Sequence, residues 1–421
     1  MYLEFFGLKE QPFQIAPDYK FLYLSRQHAR AIAYMKYAIV NHEGFAVITG
    51  IIGSGKTTLV QKLLADIDKG VKVIRITQSQ LDSIEFLQAV LRGLDQKPKS
   101  DKKVFLLDEV RQALASLKAR DINTLLLVDD AQNLSNQVLE EIRLLSDAEA
   151  EHGGTLSVIL VGQPELEQRL KQTGLTQLDQ RVRLRFRLGP LSQEETDLYI
   201  QYRMKLAGWE GAPLFTPEVC ARIYEYSSGT PRIINNLCDS VLLGAFVDET
   251  QAITVEMVDN SAEELELKLP EARPEWHLED EGEAGESAID GQAKPPRRWL
   301  DIYMNGELVE KFALEGETTT IGRTSENDLQ LAHPSVSQCH AAIIQAGHRH
   351  FLVDLDSKHG TLVAGKPVQR HLLEMEPVFN IDPYTLVFNK SISPAVEVLP
   401  EEGQQENKSK GEKGRLKTVG A

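Results

Sequence analysis

The nine residues Gly50-Ile51-Ile52-Gly53-Ser54-Gly55-Lys56-Thr57-Thr58 constrain this chain more than any other stretch. They fit the pattern G-x-x-x-x-G-K-[ST], follow the apolar run Phe45–Thr49, and precede Leu59–Ala65, whose apolar residues have helical spacing. Strand, glycine loop and helix in that order is the frame in which this pattern cradles phosphate. The glycines let backbone N–H groups turn towards phosphate oxygens, and the helix N-terminus adds partial positive charge. Gly50, Gly53, Ser54, Gly55, Lys56, Thr57 and Thr58 are therefore assigned to a nucleoside triphosphate. Lys56 is the residue to reach the terminal phosphates, and the Thr57 hydroxyl the one to hold Mg²⁺.

A chain of 421 residues is too long for one compact core, so two or three domains are expected. The net charge of −16 argues against general affinity for nucleic acid or anionic lipid, both of which need basic surface. Cys220, Cys238 and Cys339 are too scattered for a disulfide framework and fit a reducing cytoplasm. The opening residues lack the basic start and long apolar stretch of a cleavable signal, and no run approaches the roughly 20 apolar residues that span a bilayer. Any membrane attachment is expected to run through a partner.

The charge is unevenly placed. Between Glu263 and Asp290 eleven acidic residues face two basic ones, and Lys294-Pro295-Pro296 closes the stretch. A self-repelling, proline-terminated segment reads as a linker. Before it, Val71–Thr77, Leu125–Val128 and Leu156–Val161 read as strands, and Ser83–Leu94, Val104–Ala119 and Val138–Leu145 as helices. That order suits a parallel sheet covered on both faces. After Pro190 the pattern is helical, with a capping box at Ser192 and Glu195 and N-caps at Thr216, Thr230 and Thr254. Beyond Arg297 short alternating strands take over, and from about Pro400 a lysine-rich tail follows.

Leu125–Val128 ends in Asp129-Asp130. A carboxylate at the carboxyl end of a core strand lies beside the phosphate loop, which assigns Asp129 to Mg²⁺ and Asp130 to the attacking water. The strand Leu156–Val161 leads to Gln163, placed to contact the γ-phosphate. Arg181, Arg183, Arg185 and Arg187 alternate, as on one face of a strand. In a ring of copies one such arginine completes the neighbouring site; Arg181 is the first choice and Arg185 the second. Arg232, at a helix start after Thr230-Pro231, is the other cation expected at phosphate.

Residues 1 to about 266 resemble the AAA+ ATPases of the general secretion pathway protein A (ExeA-type) group, nearest to the branch accompanying exopolysaccharide and exosortase systems. The likeness rests on Phe5-Phe6-Gly7-Leu8, Pro12-Phe13, Tyr23-Leu24-Ser25 with His28, Asp129-Asp130-Ala131-Gln132-Asn133-Leu134, Gly162-Gln163-Pro164-Glu165-Leu166, and Gly229-Thr230-Pro231-Arg232 with Asn235-Asn236-Leu237-Cys238-Asp239. The resemblance implies Walker A and B elements, sensor 1 at Gln163, sensor 2 at Arg232, and ring-type oligomers that use ATP and Mg²⁺. Two positions depart from the family, which commonly has an acidic residue at Ile51 and glutamate at Asp130. The second departure bears on the rate of hydrolysis rather than on ATP binding.

Ile321-Gly322-Arg323, Asn327-Asp328, Ser335-Val336-Ser337 with His340-Ala341, and Asp354–Thr361 resemble a forkhead-associated (FHA) domain, a β-sandwich whose loops bind phosphothreonine. A phosphate monoester wants convergent cationic and hydroxyl donors, which Arg323, Ser337, Ser357 and Lys358 supply. His359 stands where the family holds the ligand backbone with asparagine. Gln338 replaces a frequent arginine, and Ala364 a frequent asparagine.

These readings give an α/β P-loop NTPase sheet with a helical lid, an acidic linker and an all-β FHA-type sandwich. The expected boundaries are 1–190 for the ATPase core, 191–266 for the lid, 267–296 for the linker, 297–392 for the FHA domain and 393–421 for a basic tail. The expected function is a cytoplasmic ATP hydrolase, seated at the inner membrane through partners, that serves secretion or export machinery and recruits a phosphothreonine protein. Two rival readings are a DNA-associated transposition-type regulator and an ATP-binding scaffold with little turnover.

Overall fold

The computed structural model describes residues 2–41, 45–67, 70–78, 80–151, 156–269, 298–314, 316, 318–346 and 349–390. The acidic linker expected over 267–296 lies outside the described residues from 270 onward, as does the basic tail.

The N-terminal part runs α1 (Tyr2–Phe5), α2 (Arg26–Asn41), β1 (Phe45–Gly50), α3 (Lys56–Asp66), β2 (Val71–Ile76), α4 (Ser83–Gly93) and α5 (Lys103–Lys118). It continues with β3 (Asn123–Val128), α6 (Asn136–Glu151), β4 (Leu156–Gly162), α7 (Glu165–Leu170), α8 (Thr176–Arg181) and β5 (Val182–Leu188). The five strands pair in parallel in the order β2-β3-β4-β1-β5. Alternate residues of each strand feed different cores, as a two-residue period requires. Phe45 and Val47 join Leu126, Leu160 and helices α4–α6 on one face. Ala46 and Ile48 join Leu125, Ile159 and helices α2 and α3 on the other.

Four helices follow: α9 (Gln193–Leu206), α10 (Pro217–Ser227), α11 (Pro231–Val247) and α12 (Val255–Glu264). The Ser192–Glu195 capping box forms, and the Thr254 hydroxyl accepts the Met257 N–H. Thr216 and Thr230 occupy N-cap positions, but neither hydroxyl makes a capping hydrogen bond; proline at N1 sets the helix start instead. The core of this bundle also takes in Tyr2, Phe6, Phe13 and Phe21, so the opening segment packs with the lid, while its turn at Tyr19–Phe21 also touches α3.

The C-terminal part contains β6 (Arg298–Met304), β7 (Glu307–Ala313), β8 (Thr318–Gly322), β9 (Leu329–Gln330), β10 (Ala341–Ala346) and β11 (Arg349–Asp354). After them come β12 (Thr361–Val363), β13 (Lys366–Val368), β14 (Arg370–Leu372), β15 (Val378–Ile381) and β16 (Tyr384–Lys390). They form two sheets, β14-β11-β10-β8-β9 and β13-β12-β15-β16-β6-β7. Ala341, Ile343 and Leu352 point between the sheets with Leu300, Phe379 and Leu386. Ala342, Ile344, Phe351 and Val353 alternate with them, and their face is buried as well. They enter the same core as Ala33, Tyr34, Tyr37 and Ile48, against α2. Where the sequence reading has a sandwich held on a tether, the structure seats it on the α/β domain.

Candidate functional site

The phosphate loop joins the buried end of β1 to α3. Gly53 and Gly55 have φ of +84° and +93°, a region that side chains enter only with strain. A Cβ at Gly50 would stand 2.7 Å from the Leu188 carbonyl oxygen, and one at Gly53 would stand 2.6 Å from Arg232 Cβ. The loop is thus drawn tight against its neighbours. Lys56, 8% exposed, donates to the carbonyls of Gly50 at 2.7 Å and Ile51 at 2.8 Å. Burial pulls its pKa below the ordinary lysine value, against the nearby carboxylates of Asp130, Asp129 and Glu165. The Ser54 hydroxyl is buried without a hydrogen-bond partner among the described residues. An anion that accepts from it suits the loop.

Asp129 directly follows β3 and is 7% exposed. Burial raises its pKa, and the neighbouring Asp130 adds to the rise, while a hydrogen bond with Thr57 opposes it. Thr57 hydroxyl beside a buried carboxylate is an oxygen donor set fit for Mg²⁺. Asp130 is exposed and left-handed, with φ of 52°. Its carboxylate accepts from the Gln132 side-chain amide at 3.2 Å, and the Gln132 side-chain oxygen accepts the Gln163 N–H at 3.0 Å. Arg232 lies over the loop from the lid, its backbone N–H donating to the Gly53 carbonyl at 3.3 Å.

On the C-terminal sandwich three loops converge. The Arg323 N–H donates to the Ser337 carbonyl at 2.9 Å, and the Lys358 N–H to the Ser337 hydroxyl oxygen at 2.9 Å. Lys358 and His359 are exposed. The Ser357 hydroxyl faces inward and donates to Asp354 at 2.7 Å, so this residue serves the loop, and the cationic donors beside it are Arg323 and Lys358.

Residues 40–170 match the family model of an AAA domain, and residues 319–381 that of an FHA domain. The chain joins an AAA domain to an FHA domain. It is 38% identical over 247 residues to General secretion pathway protein A of Aeromonas hydrophila, covering 58% of this chain and 45% of that one. It is 33% identical over 88 residues to Nuclear inhibitor of protein phosphatase 1 of Homo sapiens, covering 20% of this chain and 25% of that one. The chain therefore spans less than half the length of either relative. Among solved structures, Cdc6p from Pyrobaculum aerophilum is 16% identical with a TM-score of 0.47, over 62% of this chain and 70% of that chain. Among the described residues no helix is long and apolar enough to cross a membrane.

The arginine row of the AAA domain differs from its expected form. Arg181 closes the helix α8, and the strand begins only at Val182. Leu178 is buried from α8, and Val182 and Leu184 from the strand, a change of interval that the alternating arginines mask. Arg185 pairs with Asp179 of its own chain at 2.8 Å, and Arg187 with Glu167 at 2.7 Å. Glu167 also accepts from Thr49, the residue before the phosphate loop.

Two residues of the AAA site carried no assigned role in the sequence reading. Gln132 is the link between Asp130 and Gln163 described above. His28, on the first turn of α2, is 3% exposed and shares a hydrogen bond with the Ser54 backbone. Its Nδ1 lies 2.7 Å from the Ser25 hydroxyl, and burial lowers its pKa to about 4, which keeps the ring neutral. Both residues sit inside the quoted family motifs, but their contacts are tertiary.

Proposed function

We propose that this chain is a cytoplasmic ATPase that binds Mg·ATP at its phosphate loop and hydrolyses it in a ring of copies. In this reading, turnover drives assembly or regulation of a cell-envelope secretion or exopolysaccharide-export system at the inner membrane. The FHA domain recruits a phosphothreonine-containing partner. The observation that carries the proposal is the buried Lys56, held at the loop carbonyls beside Thr57 and the Asp129–Asp130 pair. The 38% identity to General secretion pathway protein A supports the pathway.

Loop amides and Lys56 bind the phosphates, with the Ser54 hydroxyl as a further donor. Thr57 and Asp129 would hold Mg²⁺, which when bound would neutralise negative charge on the phosphates. Asp130 orients the attacking water, with Gln132 fixing its carboxylate. Gln163 and Arg232 respond to the γ-phosphate, and Arg181 of a neighbouring copy completes the site. At the FHA domain Arg323, Ser337, Lys358 and His359 receive the phosphothreonine.

A second reading, an ATP-binding scaffold with little turnover, is favoured by Asp130, which is one methylene shorter than glutamate. The net charge of −16 weighs against a DNA-associated regulator. Phosphate release by the full chain, alone and with inner-membrane vesicles, is compared with that of Lys56→Ala. Turnover that depends on Lys56 supports the motor; nucleotide binding without any such turnover supports the scaffold.

A further inference from the structure

The first turn of α2 touches three parts of the molecule. His28 supports the phosphate loop through Ser54, and its Nε2 would lie 3.1 Å from a Cβ placed at Gly55. The Gln27 side-chain oxygen accepts the Gly189 N–H at 2.6 Å, where β5 passes into the lid. The Arg26 backbone hydrogen bonds to Glu195, the same carboxylate that caps α9. On its other side this turn meets the FHA domain, where Arg26 and Arg30 both reach the Asp328 carboxylate, Arg30 at 2.9 Å.

Asp328 is a fixed anchor rather than a loose surface charge. Only 8% of its side chain is exposed, and it accepts from the N–H and hydroxyl of Thr320 at 2.8 Å each. Burial alone would raise its pKa, but the Thr320 hydrogen bonds and the two arginines hold it below the ordinary carboxylate value. The adjoining Asn327 donates to the Gln338 carbonyl at 2.6 Å and so locks together the loops that bear Arg323 and Ser337. Farther along α2, Tyr37 meets the Phe351 ring edge-on at 5.2 Å, and the Arg370 guanidinium lies 4.2 Å from the Phe351 centroid.

We propose that the FHA domain is a clamp on α2 that sets how tightly the phosphate loop holds nucleotide. The loop's two positive-φ glycines give it little stiffness of its own, so its shape depends on His28 below and Arg232 above. His28 is only as firmly placed as α2, and α2 is braced from outside by Asp328 and the Phe351 face. Binding linkage is reciprocal, so nucleotide must tighten the seating to the same degree that seating tightens nucleotide. The inference rests on nucleotide binding by the AAA domain and on neither turnover nor phosphothreonine binding.

The test titrates the full chain with a fluorescent ATP analogue and Mg²⁺, comparing wild type with Arg26→Ala/Arg30→Ala, Asp328→Asn and all three changes combined. Asn keeps an oxygen for Thr320 and so spares the FHA fold. Each variant is expected to bind roughly 3- to 10-fold more weakly, and the combination no worse than the weaker parent, because one contact is lost in each case. Affinities equal to wild type would overturn the clamp. Absence of binding by the wild type, at the level of Lys56→Ala, would instead strike the nucleotide reading itself. Hydrogen exchange supplies a readout that needs no variant: the analogue should slow exchange across residues 318–331 of wild type. Slowing confined to the AAA domain would count against the proposal.

Discussion

The side-chain oxygen of Gln132 accepts the backbone N–H of Gln163, while its amide donates to Asp130. One side chain thereby ties the end of β3 to the end of β4 across the proposed water site. A Cβ at Gly162 would lie 2.9 Å from that same oxygen, so the strand end is shaped to admit it. Replacing Gln132 with alanine is expected to lower the rate of phosphate release by about 10- to 100-fold, the usual cost of losing a residue that orients a catalytic group. Nucleotide affinity, measured separately by analogue titration, should change far less.

Gly53→Ala is predicted to damage nucleotide binding directly. The new methyl would enter a left-handed backbone and stand 2.6 Å from Arg232 Cβ, so both loop and lid must shift. A strain of about 1–3 kcal/mol corresponds to roughly 5- to 150-fold in affinity. Isothermal titration with the nucleotide analogue measures it.

The buried His28 makes stability depend on pH. Its pKa is about 4 when folded and 6.5 in the ordinary, unfolded setting, so the unfolded chain binds the extra proton between those values. Stability is therefore whole above pH 6.5 and falls as pH drops towards 4, by about 3 kcal/mol for this group. His28→Gln should flatten the slope in that window. Urea unfolding of the AAA domain in the full chain, monitored at several pH values, reads the effect.

Asp354 is buried and accepts the Ser357 N–H at 2.9 Å, the Ser357 hydroxyl at 2.7 Å and the Thr361 hydroxyl at 2.6 Å. Asp354→Ala would orphan all three donors and release the loop that bears Lys358. The FHA transition in calorimetry is expected to fall by roughly 10 °C or more.

If Arg181 acts on a neighbouring copy, two inactive variants should rescue each other. Mixing Lys56→Ala with Arg181→Ala chains leaves some sites with an intact lysine and an intact neighbouring arginine. Random mixing predicts recovery of about a quarter of wild-type phosphate release. No recovery would show that Arg181 is not supplied between copies.

What could be read from the sequence was what is local. A glycine loop between an apolar strand and a helix has its geometry written in adjacent residues, and β1, α3 and β3 stand where their patterns put them. Beyond Arg297 the sequence is legible only as short alternating strands, and nothing in it says that Ala342 and Ile344 lie against α2. Burial of alternate faces produces the same apolar run whichever partner covers the second face. The α8 turn at Arg181 was masked by the alternating arginines. The neutral His28 owes its state to burial and to the Ser54 backbone, distant in sequence, and Asp354 competes for a Ser357 hydroxyl that the motif alone offers to phosphate.

The opening segment has a mechanical consequence. Tyr2, Phe6, Phe13 and Phe21 enter the lid's core, yet Ser25 accepts the His28 N–H at the head of α2. Only Leu22, Tyr23 and Leu24 lie between. A lid that swings as a rigid body carries Tyr2 to Phe13 along, while the turn at Tyr19–Phe21 also touches α3, so the chain between lid and α2 must bend or pull. The polypeptide is thus strapped back across its own hinge: opening the lid is paid out through a short leash that ends beside the loop the lid covers.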